Sequence, residues 1–541
     1  MASTELDSTT THGGEADAGF TPPQTTASEE TNLKLVYNLS VIDQSVSRKY
    51  VRRMFIFDFP VTSEDKVEAA SGAIRQGLEV ALKHYPFLTG KVGPARDPER
   101  NLVQLRYGDT DELRSVMPDI FKIRVHPEDL TFGGYEELCR RGMPVSHWAM
   151  ENFCASPQGP GLLPEWKPAF TLQANFLEEG ALVLCVAFQH SVADGTSIGL
   201  FVDKFAAGIR GDITVDNVGE YSGANLESIT ENAPKRKVVD CFPEWNFDER
   251  QKLPHRHQWD SYVITMSAQM ISELKHRVNY CVRRRTLSSA WVSTIDCISA
   301  LMWVYISRAR LVSFKKKTDA TVFTTAVSIR DRLGNTVEPT QFGNLFSTVA
   351  VEKFIQEVVP RAQSASAKAE KPLLCNASLL EIASCAMDIR EGISDVTKAY
   401  TVPRLRKLAQ LEDPTKASTA AARACLPTKT GVKLGSLVDF GADTNFGIPG
   451  TAGDGRPRFC RKPWMMDGGM VNILPRRGGT HGDAPWEILV CLPAHTIEKL
   501  VHNDALGPFI DSYVQDKDPR ISYRRPAEIP GRPRLPNIDG W

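Results

Sequence analysis

Apolar and polar positions alternate along this chain in blocks that read as strands and helices in turn. Positions 50–59 (YVRRMFIFDF) have the length and composition of a strand. Val67, Ala70, Ile74, Leu78, Ala81 and Leu82 then recur at helical spacing. Pro86 and Gly90 stop that helix and open another strand. Positions 102–107 form a further short strand, and 108–160 is irregular apart from a helical piece near 134–141. Two apolar runs, 170–176 and 181–188, are separated by Glu178-Glu179-Gly180, the pattern of a hairpin. Beyond the second run, Ile198, Phe201, Val202, Phe205 and Ile209 share one helical face.

The second half repeats this alternation. Positions 263–275 read as a strand and then a helix, and Ser293 with Asp296 makes a capping-box-like start to an amphipathic helix reaching about 310. Strands are expected at 326–333 and 346–351. The Ala-rich stretch 360–425 looks helical, with breaks at Pro403 and Pro414. An apolar strand at 486–492 is followed by the start of a helix at 496–500.

Between the halves the sequence turns polar and carries Pro234, Pro243 and Pro254, as a crossover would. Residues 1–30 hold few large apolar side chains and are expected to be disordered. The Pro-rich tail from Arg524 is expected to be extended or disordered. The chain therefore divides into an N-terminal segment (1–30), a first domain (31–215), a linker (216–262), a second domain (263–523) and a tail (524–541).

Composition narrows the function classes. With 64 basic and 65 acidic residues among 541, the formal net charge is −1, which argues against a general nucleic-acid binder. A local basic patch suffices for an anionic ligand. The longest apolar runs are of strand length, short of the ~20 residues a membrane span needs. The N-terminus has neither the basic nor the apolar region of a secretory signal, and it lacks the arginines of a transit peptide. Eleven cysteines form no C-x-x-C pair, and Cys185, Cys297 and Cys491 lie inside apolar runs, so buried free thiols in a reducing cytosol are expected. Asn376-Ala377-Ser378 matches a glycosylation sequon but has no secretion signal to accompany it.

Candidate chemistry centres on His190. It sits where the run 181–188 ends and a helix begins, in Gln189-His190-Ser191-Val192-Ala193-Asp194-Gly195-Thr196-Ser197. An imidazole titrates near working pH, so it can take a proton from a hydroxyl and later release it. A structural histidine bonded to backbone is the plain alternative. The H-x-x-x-D-G pattern resembles the active-site turn of the BAHD acyltransferases, in particular their fungal branch, which includes trichothecene acetyltransferases. Further stretches resemble that family in the same order: Leu39-Ser40-Val41-Ile42-Asp43-Gln44, Tyr85-Pro86 to Gly90, and the helix opened by Ser293-Thr294 and running through Trp303. Ser328-Ile329-Arg330-Asp331-Arg332-Leu333 and Gln341-Phe342-Gly343-Asn344 continue the series. Together these cover most of 35–500.

The resemblance implies a mixed α/β (α+β) fold of two chloramphenicol-acetyltransferase-like domains, each a mixed sheet flanked by helices, with the active site at their interface. It implies transfer of an acyl group, by default acetyl, from acyl-CoA to a hydroxyl of a secondary metabolite, with His190 as general base and no acyl-enzyme. It turns Asp194 away from the site toward Arg330, as structural support of the base. It places Thr348 where a hydroxyl can meet the substrate or the oxyanion, and puts CoA near Ser293 and Thr294. Helix capping is the simpler role for Ser293, and a solvated surface is the preferred reading of Arg283-Arg284-Arg285. Gly195 is assigned a structural role, either close packing or a positive φ.

The family's D-F-G-W-G signature is altered here. Asp439-Phe440-Gly441 is the literal match, but Asn445-Phe446-Gly447 fits the flanking Gly435-Ser436-Leu437 and Asn472 to Arg477 better and is preferred. Asn445 and Gly447 are accordingly taken as CoA contacts. The implied protein is a cytoplasmic monomer that binds no metal, no permanent cofactor, no nucleic acid and no membrane. Two other readings stay open. One is a condensation-domain-like enzyme using a carrier-bound acyl group, in which Gln189 would replace the first of two histidines. The other is a divergent member acting as a binding protein or cyclase.

Overall fold

In the computed structural model, residues 35–95, 101–108, 113–126, 134–145, 148, 150–156, 166–178, 180–214, 226, 242–248, 259–286, 289–311, 316, 319–334, 337–359, 376–425, 431–462, 469–477, 482–503 and 506–515 are described. The expectations for 1–30 and 524–541, and for most of 216–262, lie outside them.

Three sheets organise these residues. A five-stranded sheet has the order β13-β2-β8-β7-β5, comprising β2 (Tyr50–Asp58), β5 (Phe121–His126), β7 (Phe170–Leu177), β8 (Ala181–Gln189) and β13 (Phe459–Arg461). The expected hairpin is its centre: β7 and β8 pair antiparallel from Phe170 opposite Phe188 to Leu177 opposite Ala181. A seven-stranded sheet has the order β11-β10-β12-β14-β15-β9-β16. Its strands are β9 (Trp259–Met266), β10 (Ala320–Ser328), β11 (Phe346–Phe354), β12 (Val432–Ser436), β14 (Met470–Ile473), β15 (Trp486–Pro493) and β16 (Ser512–Gln515). A small sheet joins β1 (Leu35–Asn38), β4 (Val103–Tyr107), β3 (Lys91–Pro94) and β6 (Lys167–Pro168).

Each large sheet buries one face under helices. The helices Glu64–His84 and Gly195–Ile209 cover the five-stranded sheet, placing Ile74, Leu78, Phe201 and Phe205 against Phe55, Phe57, Leu184 and Phe188. They approach closely at Gly77, where a Cβ would lie 2.5 Å from Ile209. The opposite face packs on Trp148 and Phe153 through Met54, Ile56, Val183 and Cys185. The seven-stranded sheet packs on helix Thr294–Ala309, with helices Ala268–Thr286 and Asn376–Ser394 beside it. Ser293 and Asp296 form the full capping box anticipated for the central helix.

Some expectations need correcting. The 108–160 region holds a true strand, β5, which pairs in parallel with β7. Phe121, Ile123 and Val125 do alternate with Lys122, Arg124 and His126, as a strand would, although only Phe121 and His126 of the six residues are buried. Pro403 does not break a helix but lies inside Lys398–Gln410. Buried Thr401, Leu405 and Leu408 hold that helix down, and Tyr400 bonds the carbonyl of Thr348 at 2.8 Å. Tertiary packing offsets the one lost backbone bond. Pro414, by contrast, does lie between two helices. Finally, β13 leaves the second half of the chain to pair with β2, Arg461 opposite Met54.

Among the described residues, no helix is long and apolar enough to cross a membrane. Cys185, Cys297 and Cys491 are buried, and the Cys154 and Cys185 sulfurs lie 2.9 Å apart.

Candidate active site

His190 stands at the end of β8, where the strand stops and helix Gly195–Ile209 has not begun. Its main-chain N–H donates to Lys49 O at 2.7 Å, continuing the β2–β8 ladder by one step. Its ring Nδ1 lies 3.3 Å from the carbonyl of Ala193 in the same turn. A carbonyl only accepts, so Nδ1 carries the proton and Nε2 presents a lone pair. No described residue bonds Nε2. Burial lowers the imidazole's pKa, the positive charge of Lys433 lowers it further, and the Ala193 carbonyl and Asp194 oppose this.

Asp194 does not touch the ring. Its carboxylate accepts from Arg330 Nη1 at 2.8 Å and Nη2 at 3.0 Å, from Ser197 N at 2.9 Å and from Leu345 N at 3.1 Å. It thereby caps the helix that follows the turn. Arg330 is equally committed, donating to the carbonyls of Gln341 and Gly343 and to Ser197 Oγ. Four donors on one carboxylate leave no lone pair aimed at His190, so a Ser-His-Asp type of relay has no geometry here. Gly195 has ordinary φ. A Cβ there would meet the Phe440 ring at 2.7 Å, so close packing is its role.

The Gln341-Phe342-Gly343-Asn344 turn completes the arrangement. Gly343 has φ 121°, a conformation open to glycine, and its N–H and C=O both bond Ser197 Oγ, at 3.0 and 2.9 Å. Phe342 packs on Tyr85 and Phe87 at 4.9 and 5.1 Å between centroids, which explains the tyrosine of the Tyr85-Pro86 turn. Asn344 Nδ2 donates to His190 O at 2.5 Å and to Asp43 Oδ1 at 2.8 Å. Asp43 also takes the Asn344 N–H at 2.9 Å and Ser40 N and Oγ at 3.0 and 2.6 Å. Arg48 reaches Asp43 O at 3.1 Å and Ser191 Oγ at 3.0 Å. Asp43 and Arg48 were not among the sequence candidates, although the Ser40…Asp43 capping-box spacing marked the first of them.

One wall beside His190 is the inner face of the seven-stranded sheet. The Phe346 ring lies 6.5 Å from the imidazole and nearly parallel to it, at 26°. Thr348 follows on the same strand face, half-buried, opposite Ala326. Ala326, Ser328 and Lys433 on this face are exposed although they lie on interior strands, so an open cleft runs along it. Val263, Leu474 and Leu489 close it further along by packing on Val145.

Other candidates lie apart. Ser293 accepts the Asp296 N–H at 3.2 Å, and Asp296 is paired with Arg390, so this helix start is internally satisfied. No described contact joins Ser293 or Thr294 to the His190 turn. The Asn445 carbonyl bonds Arg210, just past the C-terminal end of the helix that Asp194 caps. A 15-residue helix is ~22 Å long, so Asn445 and Gly447 sit about one helix length from His190. Phe446 is buried among Phe55, Phe57 and Phe205. Arg283, Arg284 and Arg285 are exposed on the last turn of their helix.

Residues 161–417 match the model of the Transferase family. The acyltransferase easC of Emericella nidulans is 24% identical over 503 residues, covering 87% of this chain and 96% of that protein. The O-acetyltransferase ptmV of Penicillium ochrochloron is 25% identical, covering 86% and 94%. Among solved structures, TRI101 of Fusarium sporotrichioides complexed with coenzyme A and T-2 superposes with a TM-score of 0.66 at 19% identity, over 90% of this chain and all of that one. Vinorine synthase superposes with a TM-score of 0.54 at 15% identity, over 91% and 96%. The chain carries this fold, and its residues 161–417 are similar to the Transferase family.

Proposed function

We propose that this protein is a CoA-dependent O-acyltransferase that moves an acyl group, by default acetyl, to a hydroxyl of a small secondary metabolite. Nε2 of His190 takes the acceptor's proton as its oxygen attacks the thioester carbonyl. The tetrahedral intermediate collapses, the C–S bond breaks, and the imidazolium returns the proton to the leaving thiolate. The observation that carries this reading is the fixed tautomer: Nδ1 is held by Ala193 O, Asp194 is held by Arg330, and Nε2 is left as the base. Relatives named as O-acetyltransferases support it, as do neighbours solved with coenzyme A and with T-2 or deoxynivalenol.

Thr348, on the strand face beside Phe346, donates its hydroxyl to the acceptor or the oxyanion in this reading. Asn445 and Gly447, one helix length from His190, meet the nucleotide end of CoA and not its thioester, and Thr294 is a further CoA contact. Arg330 and Asp194 hold the turn without taking part in proton transfer. The working unit comprises the halves 31–215 and 263–523, with 459–461 lent to the sheet of the first.

The test is thiol release from acetyl-CoA in the presence of a panel of alcohols. His190→Ala is expected to lower the rate about 10²–10⁴-fold. Release that is dependent on acceptor yet unchanged in this variant would overturn the assignment.

A further inference from the structure

The cleft wall beside His190 carries a single basic side chain among the described residues of its strands. Register shows which residues stand side by side on it. Thr348 of β11 is opposite Ala326 of β10, and two residues along each strand Ala350 is opposite Thr324. Thr324 aligns with Lys433 of β12, and Lys433 with Met470 of β14. Residues aligned across a sheet point to the same side, so Lys433 shares this face with Phe346, Thr348, Ala326 and Ser328. β12 is an interior strand, between β10 and β14, yet Lys433 is exposed. Its ammonium therefore stands in the open cleft, where the His190 imidazole feels its charge.

This lysine has no carboxylate of its own among the described residues. Two glutamates share the face. Glu487 is gripped by Arg461 through both oxygens. Glu352 is two strands across and two residues along from Lys433, ~10 Å by ~7 Å, and no described ion pair joins them. Lys433 also stands off from the reacting atoms. From Phe346, whose ring faces the imidazole at 6.5 Å, it is two strands across and four residues along, ~10 Å by ~13 Å. A four-carbon stem covers part of that span and not all of it. The ammonium thus meets a part of the substrate remote from the reacting hydroxyl.

We propose that Lys433 is a specificity-determining residue of the acceptor site and that the acceptor is a hydroxylated carboxylic acid. Its hydroxyl meets Nε2 of His190 while its carboxylate, lying along the wall over Thr348 and Ala326, accepts hydrogen bonds from the Lys433 ammonium. This rests on the acyltransferase reading above. In that reading the nucleotide end of CoA lies near Asn445 and Gly447, about one helix length from the base, so the anion left for Lys433 is the acceptor's.

The experiment is transfer from acetyl-CoA to a series of ω-hydroxycarboxylates of increasing chain length and to hydroxybenzoates, each beside its methyl ester. It is run at a pH above the acid limb, so that the titration of His190 does not enter. Wild type is expected to favour acid over ester about 10–100-fold in kcat/KM at the length that spans the two groups. Lys433→Met abolishes the preference by raising KM for the acid, with KM for acetyl-CoA unchanged. Lys433→Glu reverses the preference and Lys433→Arg keeps it. Acid and ester are compared within one variant, so a loss of folded protein cancels from the ratio. Equal use of acid and ester by wild type, acetylation of other alcohols but of no acid in the series, or an acid preference that survives Lys433→Met overturns the proposal and leaves the acyltransferase reading intact. A rise in KM for acetyl-CoA in place of that for the acid assigns Lys433 to the donor and overturns it equally. Wild type that releases no thiol with any alcohol sinks both.

Discussion

Arg330 holds both carboxylate oxygens of Asp194, at 2.8 and 3.0 Å, from the opposite half of the molecule. The pair is buried and bridges sequence positions 136 apart, so it ties the base's turn to the second sheet. Removing one partner leaves the other charge uncompensated, which costs about 3–5 kcal/mol. Arg330→Met is therefore expected to lower stability by that amount in chemical denaturation. Asp194→Asn keeps the shape and the helix cap but loses the charge, so it is expected to destabilise less. In Asp194→Asn the acid limb of the remaining activity should move only slightly, and to lower pH, since the carboxylate raises the His190 pKa through space without sharing the moving proton. A profile whose acid limb moves by a unit or more in Asp194→Asn would mean that the carboxylate acts on the imidazole directly.

Asn344 Nδ2 donates both to the carbonyl of His190 and to the Asp43 carboxylate, tying the two together. Asn344→Ala frees that carbonyl and removes one of the donors on the buried Asp43 carboxylate. A hydrogen bond to a charged group contributes about 1.5–3 kcal/mol. We expect kcat/KM to fall about 10–100-fold, at 1.36 kcal/mol per tenfold. Asn344→Asp should be worse than Ala, because it sets a second carboxylate against Asp43. Equal activity in the two variants would show that the turn is held by other contacts.

The pH dependence has a defined sign. A general base works only when neutral, and burial together with the Lys433 charge lowers the pKa of His190 below the usual imidazole range. The acid limb of kcat/KM should therefore fall below the ordinary histidine value, with activity lost as pH drops through it. Lys433→Met removes one of the lowering influences, so its limb should move to higher pH, with Asp194 and the Ala193 carbonyl still acting in the raising direction. The same depressed pKa works against folding in acid: the unfolded chain binds the proton more readily, so this site's contribution to stability is present above the unfolded pKa and is lost as pH falls. A Lys433→Met limb displaced downward would contradict the electrostatic account.

Much of this site was legible before the fold was known, because its parts are short and carry unusual residue types. His190, Asp194, Arg330 and Asn344 each sit in a turn beside a recognisable strand or helix. Their convergence is what separated motifs acquire once the sheets form. The links between them were less visible. Asp43 and Arg48 act through single hydrogen bonds across tertiary space, and no periodicity announces those. Strand β13 has three residues, too few for any alternation, yet it carries the second half of the chain into the first sheet. Strand β5, by contrast, was legible, since Phe121, Ile123 and Val125 alternate with Lys122, Arg124 and His126. In the altered D-F-G-W-G region each register supplies a packed phenylalanine: Phe440 against Gly195, and Phe446 among Phe55, Phe57 and Phe205. Residue type alone therefore could not separate them.

That packing yields a further prediction. Gly195 is the first residue of the helix after His190, and a methyl group there would stand 2.7 Å from the Phe440 ring. Phe440 belongs to the second half and adjoins Gly441, which is equally tight against the Phe55 ring at 2.7 Å. Overpacking of this kind costs about 1–3 kcal/mol. Gly195→Ala should therefore lower the denaturation midpoint and reduce activity, because the displaced helix start carries Asp194 and the turn of His190 with it. Adding Phe440→Leu to Gly195→Ala should recover most of both losses by making room for the methyl group. The double-mutant cycle reads this as a coupling energy of opposite sign to the two single effects. Strictly additive losses would mean that Gly195 is required for its backbone freedom and not for the approach of Phe440.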